Sequence, residues 1–264
     1  MDIQLRLYSF VCAACLLMIW ERFAPRKTQV FKRSQRWPNN FLLGLINGFC
    51  VRVCLVALGL ITARTAQIQG WGLLQNVHWH PGLEMLISLL ALDLLIYAQH
   101  RAFHHWPWLW RWHRVHHTDL ALDVSSGVRF HPVEALLSLG VKLTGIALIG
   151  ASSTAVLLFE LSLSLLALFN HSNIYIPAPL EKLLRKGLIT PDLHRIHHSI
   201  QREEQQKNFG FSVPWWDHLF GSFQSEAQFP ADQIILGDGE LETLSQTQSL
   251  KALLKDIPFL SPKG

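Results

Sequence analysis

The longest apolar stretch in the chain, residues 133–169, is too long for one membrane span, and it has companions at residues 7–20, 41–62 and 83–98. A helix that crosses a bilayer needs about 20 mostly apolar residues. These stretches therefore dictate helices, several of them in lipid. The composition agrees. Half of the 264 residues are hydrophobic and only 16% are charged, whereas a soluble domain carries about 25% charged residues. Such figures disfavour a disordered chain, a coiled coil and a secreted disulfide scaffold.

The charges between the stretches set the orientation. The first stretch is short and borrows residues 3–6, with Arg6 snorkelling outward. A cationic loop rather than a small-residue cleavage site follows it, so it reads as an uncleaved membrane helix. The second stretch is long enough to span with Arg52 inside it. Between Glu21 and Asn40 stand six cations (Arg22, Arg26, Lys27, Lys32, Arg33 and Arg36), whereas residues 63–80 hold Arg64 alone. The positive-inside rule makes residues 21–40 cytoplasmic and residues 63–80 external.

The third stretch opens after Pro81-Gly82, a helix-start signal, and returns to the cytoplasm. The fourth breaks at Gly150-Ala151-Ser152-Ser153 into two helices of about 17 residues, a hairpin that enters and leaves on the same side. Everything from Asn170 onward is then cytoplasmic. Residues 241–254 read as a short amphipathic helix through Leu241, Leu244, Leu250, Leu253 and Leu254. The formal charge of +4 is no sign of nucleic-acid binding, because the cations sit in a loop between apolar stretches. Cys12, Cys15, Cys50 and Cys54 all fall inside the first two stretches, where cysteine serves as a small apolar residue.

Histidine carries the chemistry. His100 and His104 are four apart; His113, His116 and His117 form H-x-x-H-H; and His194, His197 and His198 repeat it. The two triplets share an arginine, as H-R-V-H-H and H-R-I-H-H. At this composition two such triplets arise by chance in roughly one chain in a thousand, so the pattern demands a cause. On a helix, residues three and four apart share a face, and each box aims its imidazoles at one point. Neutral imidazole suits zinc, copper, iron and nickel. Eight such side chains exceed the four that a tetrahedral ion uses, which makes two metals the economical count.

H-x-x-x-H, H-x-x-H-H, an apolar hairpin and H-x-x-H-H, in that order, resemble the fatty acid hydroxylase/sterol desaturase superfamily of integral-membrane di-iron oxygenases. Supporting phrases are Leu109-Trp110-Arg111, Arg129-Phe130-His131-Pro132-Val133-Glu134, Phe169-Asn170-His171-Ser172-Asn173, Asn208-Phe209-Gly210 and Trp216-Asp217-His218-Leu219-Phe220-Gly221. The resemblance implies metal-ligand roles for His100, His104, His113, His116, His117, His194, His197 and His198, with His171 as the extra histidine after the hairpin. It implies an all-α, multi-pass membrane fold, with a membrane-inserted hairpin and a cytoplasmic, histidine-rich helical cap. It also implies two iron ions as cofactor, replaceable by zinc on purification, with O2 as co-substrate and a lipid C–H bond to hydroxylate or desaturate. A separate electron donor, a cytochrome, ferredoxin or reductase, completes the expected partners. The division is residues 1–84 for membrane helices and basic loop, 85–223 for the catalytic domain and 224–264 for a cytoplasmic tail.

Other residues carry weaker expectations. Asp93 lies seven residues before His100 and on its face. An acid inside a span is a functional candidate, here to orient a ligand histidine or otherwise to pack helices. His105 lies off the His100/His104 face and reads as a surface residue. His131 reads as a hydrogen-bonding residue and His218 as structural. His78 and His80 sit across the membrane from the boxes. Trp106, Trp108, Trp110, Trp112, Trp215 and Trp216 read as an interfacial belt. The rival to an oxygenase is a non-catalytic metal-binding or metal-transport membrane protein, since histidine-rich tracts also bind metal. Ordered boxes outside the spans favour catalysis.

Overall fold

The computed structural model describes residues 2–49 and 54–260. Cys50 and Arg52, inside the expected second stretch, lie outside those residues. Nine helices matter here: α1 (Asp2–Phe23), α2 (Arg33–Asn47), α3 (Cys54–Gln69), α4 (Pro81–His105), α5 (Pro107–His117), α6 (Pro132–Ile149), α7 (Ser153–His171), α8 (Ala178–Leu184) and α9 (Pro191–His197). No strand occurs among the described residues, which hold two isolated bridges, Pro25 with Ile174 and Ser199 with Leu236.

Among the described residues, four helices are long and apolar enough to cross a membrane: Gln4–Phe23, Pro81–His105, Pro132–Ile149 and Ser153–His171. The second stretch, residues 41–62, falls partly outside the described residues. Its described part opens earlier than residue 41, with α2 already helical at Arg33, because Arg36 and Asn40 turn inward to polar partners rather than outward to water. Cys12 and Cys15 are exposed on α1, as small residues of its outer surface.

The bundle core joins α3, α4, α6 and α7 through Ala63, Leu92, Ile96, Ile146, Val156 and Phe159. A helix apolar on all sides can bury one side here and leave the others for lipid. Proline opens α4, α5 and α6 at a position where its missing N–H costs nothing. The hairpin turns where expected. Gly150 ends α6 with φ +75° and Ser152 caps α7 by accepting from the Ala155 N–H at 3.3 Å. At this turn the backbone of Gly72 approaches so closely that a Cβ would overlap Gly150, and Gln75 Nε2 donates to the Gly150 carbonyl at 2.7 Å. The hairpin tip therefore reaches the level of the α3–α4 connection, the full length of the bundle.

Three further expectations are corrected. Arg6 does not snorkel outward; it forms an ion pair with Glu160 of α7. The basic residues of 21–40 do not form a free loop. Arg26 donates to Asp192 at 2.9 Å, Lys27 to the Ile234 carbonyl at 2.7 Å and Arg33 to Glu21 at 3.2 Å. They fasten α1 and α2 to the histidine-bearing end. Residues 241–254 are also not one helix. Leu244–Gln248 is a short helix that stops at Ser249, because Leu241, Ala252, Leu253 and Ile257 must all reach Leu43 and Val115.

Candidate metal centre

The first box occupies the last two turns of α4, the second closes α5, and the third closes α9. His171 is the last residue of α7. These four ends converge, and the nine histidines sort into two groups. His100, His104, His113, His117 and His197 form one; His116, His171, His194 and His198 form the other. Within each group, one nitrogen per ring lies within 4.8 Å of the others. The sorting follows helix geometry. The i, i+4 pair His113/His117 serves the first group and the pair His194/His198 the second. Each triplet then sends its i+3 member, His116 or His197, to the opposite group. The groups are neighbours, since the His117 and His198 rings stack at 4.3 Å between centroids.

Outer partners fix the rings. Nδ1 of His100 meets the Phe209 carbonyl at 2.8 Å, that of His116 the Arg129 carbonyl at 3.2 Å, that of His171 the Ala167 carbonyl at 2.6 Å, and that of His197 the Lys207 carbonyl at 2.8 Å. His113 Nδ1 meets Glu134 Oε1 at 2.7 Å. Carbonyl oxygens only accept, so Nδ1 carries the proton and Nε2 turns a lone pair inward. In the first group Nε2 of His100, His113 and His197, and both nitrogens of His104 and His117, are buried without a partner.

In the second group the Nε2 atoms crowd together: His116 to His171 at 2.9 Å, His171 to His194 at 2.9 Å, and His194 to His198 at 3.2 Å. His116 and His171 both hold their protons at Nδ1, so two lone pairs face each other at hydrogen-bond distance. A proton could relieve them, but burial holds His116, His117, His194 and His198 well below the usual histidine range and pushes His197 down to about 3. A cation bound among the nitrogens resolves both the orphaned lone pairs and the crowding. The donor set is all imidazole, five and four, and fits two borderline transition-metal ions.

The surrounding phrases build the acceptors. Asn208 adopts φ +53° and donates from Nδ2 to the Leu193 and Gln224 carbonyls at 3.1 and 2.9 Å. The Asp217 carboxylate accepts the Phe209 and Gly210 N–H groups at 2.8 and 2.7 Å, and the Ser222 hydroxyl at 2.7 Å. Burial raises the Asp217 carboxyl above the ordinary range. Arg129, fully buried, donates to the Val115 carbonyl, Asn40, Gln248, Thr118 and the Thr247 carbonyl at 2.6–3.1 Å. Burial pushes it down to about 10. Beside it Arg36 grips Asp119 with both prongs, at 2.8 and 2.7 Å, and Asp123 at 2.7 Å. That pairing holds Asp119 well below the usual carboxylate range.

The hydrogen bond of Asp93 goes to a tryptophan rather than to a histidine. Its Oδ2 accepts from Trp216 Nε1 at 2.8 Å, a bond that packs α4 against the segment after the third box. The orienting acid is Glu134, which only the R-F-H-P-V-E phrase brought into view. His105 is exposed, and His218 is exposed and stacks on Phe223 at 3.8 Å. His131 caps α6 by accepting from the Val133 N–H at 3.1 Å. His80 caps the opposite end of α4, 20 residues and about 30 Å from His100; His78 is exposed nearby. Of the tryptophans, Trp106, Trp108 and Trp215 are exposed, whereas Trp110 lies against His104 and His117, with ring centroids 4.9 and 5.3 Å apart.

The fatty acid hydroxylase family profile matches residues 85–222. Among curated proteins, the ornithine lipid hydroxylase OlsE of Rhizobium tropici is 25% identical over 264 residues, covering 96% of this chain and 78% of that protein. The alkylglycerol monooxygenase of Danio rerio is 26% identical over 75% of this chain and 43% of its own length. Cholesterol 25-hydroxylase of Rattus norvegicus is 26% identical over 63% of this chain and 57% of its own. No solved structure matches the chain.

Proposed function

Because the chain belongs to the fatty acid hydroxylase family, we propose that it is a membrane-bound, O2-dependent oxidoreductase that hydroxylates or desaturates a lipid at an unactivated C–H bond. The observation that carries the reading is the gathering of nine imidazoles from four helix ends into two adjoining groups. The relatives are named as lipid hydroxylases and monooxygenases, which supports a lipid substrate. The rival reading as a metal-transport protein gains nothing from them.

His100, His104, His113, His117 and His197 would hold one iron, and His116, His171, His194 and His198 the other. When bound, two irons supply O2 activation and C–H oxidation, with two electrons from a separate donor of the cytochrome, ferredoxin or reductase type. The chain's own residues do the rest. The Phe209, Arg129, Ala167 and Lys207 carbonyls and Glu134 keep each proton at Nδ1 and each Nε2 free. The buried Arg36–Asp119–Asp123 network fixes the loop after the second box. Trp110 and Phe209 wall the first group and exclude water from it. The groups lie at the end of the spans on the side of the cationic segment 21–40, which supports a cytoplasmic active site in a multi-pass protein.

Lipid extracts from cells expressing the intact chain, or a His194→Ala/His197→Ala form, with and without oxygen, test the reading. A product carrying one added oxygen or one added double bond should depend on both histidines and oxygen. Identical extracts in all four conditions would refute it.

A further inference from the structure

Beside the five-histidine group, α4 and α6 meet along a polar seam that ends in unsatisfied acceptors. Glu134 is 5% exposed. Its Oε1 takes His113, and its Oε2 is buried without a partner. One turn along α6, the Ser138 hydroxyl accepts from Gln99 Nε2 at 3.1 Å. Gln99 Oε1 is likewise buried without a partner. Gln99 is the chain neighbour of His100 on α4 and Glu134 bonds His113, so both side chains stand on elements that hold or orient ligands of the same group. Below this seam Leu95 packs so closely on Gly145 that a Cβ there would overlap it, which seals the seam toward the bilayer centre.

The chemistry of these atoms is one-sided. A carboxylate oxygen and an amide oxygen accept hydrogen bonds and donate none, and buried acceptors are stable when a donor reaches them. Their depth is informative too. Glu134 and Ser138 are the third and seventh residues of α6, about 3 and 9 Å from its start at 1.5 Å per residue. For a span that opens at Pro132, those residues lie at its headgroup-side end. We propose that Gln99, Ser138 and Glu134 form the headgroup subsite for the lipid substrate, and that it takes a group bearing N–H or O–H donors, an ammonium or a hydroxyl. The inference rests on the lipid-oxidising reading above. It gives Glu134 two tasks: Oε1 orients His113 while Oε2 holds the headgroup, so substrate position and metal geometry share one side chain.

The test uses the full metal-loaded chain in detergent micelles and two pairs of lipids. Phosphatidylethanolamine offers N–H donors and phosphatidylcholine has none; a monoacylglycerol offers O–H donors and its dimethyl ether has none. Equilibrium binding should favour the donor-bearing member of at least one pair by about tenfold, and the pair concerned tells ammonium from hydroxyl. Gln99→Leu and Ser138→Ala should each reduce that preference below about threefold, while bound metal and affinity for the capped lipid stay unchanged. Equal binding within both pairs, or a preference that survives Gln99→Leu, overturns the proposal. Metal loss in both variants also overturns it, since the seam would then serve the histidines alone. Lipid oxidation without any headgroup preference sinks only the subsite. A clear preference in a chain that oxidises no lipid sinks the oxidation reading and leaves the subsite.

Discussion

The Asp217 carboxylate accepts the Phe209 N–H at 2.8 Å, and the carbonyl of that same Phe209 faces His100 Nδ1 at 2.8 Å. A side chain that touches no imidazole thus sets the rotation of one. Asp217→Ala frees the 208–210 turn and loosens His100, and metal affinity should fall by about 10–100-fold. Asp217→Asn keeps one acceptor but sets an N–H against an N–H, so it should lie between the two. A chelator competition series measures this; unchanged affinity in Asp217→Ala would contradict it.

His116 and His197 belong to different groups although each is the i+3 member of its triplet. His197→Ala leaves the four-histidine group whole, and His116→Ala leaves the five-histidine group whole. His116→Ala cuts its own group to three imidazoles and should hold well below two ions per chain, whereas His197→Ala leaves four in its group and should weaken that ion's binding. Each should lose activity because both ions are needed. His105→Ala should be mild, as His105 is exposed. Zinc in purified protein would be compatible with iron in the cell. Full metal content with full activity in His197→Ala would sink the two-ion reading.

The buried imidazoles also set a pH dependence in metal-free protein. His197 is pushed down to about 3, and His116, His117, His194 and His198 are held well below the usual range. In the unfolded chain these rings protonate near pH 6.5, so between pH 6.5 and about 3 the unfolded state binds more protons. Stability is then fully present above pH 6.5 and is lost as pH falls through that window, by at most about 1.4 kcal/mol per pH unit for each histidine. The thermal midpoint of chelator-stripped protein should decline steadily from pH 6.5 to 5. Bound metal should flatten the decline, because it binds the deprotonated ring. A midpoint indifferent to pH in the stripped protein would refute the neutral, buried state.

Segment 67–70 and the histidine groups lie at opposite ends of the bundle. A reporter inserted between Gln67 and Gly70 should therefore read as external, and one fused after Gly264 as cytoplasmic. The reverse labelling would move the metal centre to the other face of the membrane.

Local rules explain what could be read in advance. The hairpin break was legible because Gly-Ala-Ser-Ser offers a left-handed cap and then a hydroxyl cap. The boxes were legible because an i, i+4 spacing names a shared face before any tertiary contact exists. Their division into two groups was not, since it depends on how α5 and α9 face one another. Four of the five acceptors that turn the rings, the carbonyls of Phe209, Arg129, Ala167 and Lys207, are backbone atoms with no residue-type signature. Asp93 shows the limit well. Its depth and its phase relative to His100 were readable, but its partner Trp216 is 123 residues away. The start of α2 was misread for the same reason: Arg36 reads as a solvated cation until Asp119, 83 residues on, arrives to meet it.

Arg6 and Glu160 extend that lesson to the apolar layer. They pair across 154 positions with side chains only 16% and 13% exposed, so the pair ties α1 to α7, and Glu160 lies over Gly59 of α3, where a Cβ would meet its carboxylate. A charge left alone in such a place is costly in lipid as in a protein core. Arg6→Met alone should destabilise the protein by about 3–5 kcal/mol, because it leaves Glu160 uncompensated. The double variant Arg6→Met/Glu160→Met removes both charges and keeps apolar volume, so it should recover most of that loss or exceed the parent. Reversible unfolding in mixed micelles would read the cycle. If the double variant were as unstable as the sum of the two single changes, the two side chains would be uncoupled and α1 would be held to α7 by apolar packing, with Ala14, Ala13 and Leu17 in the cluster around Leu168.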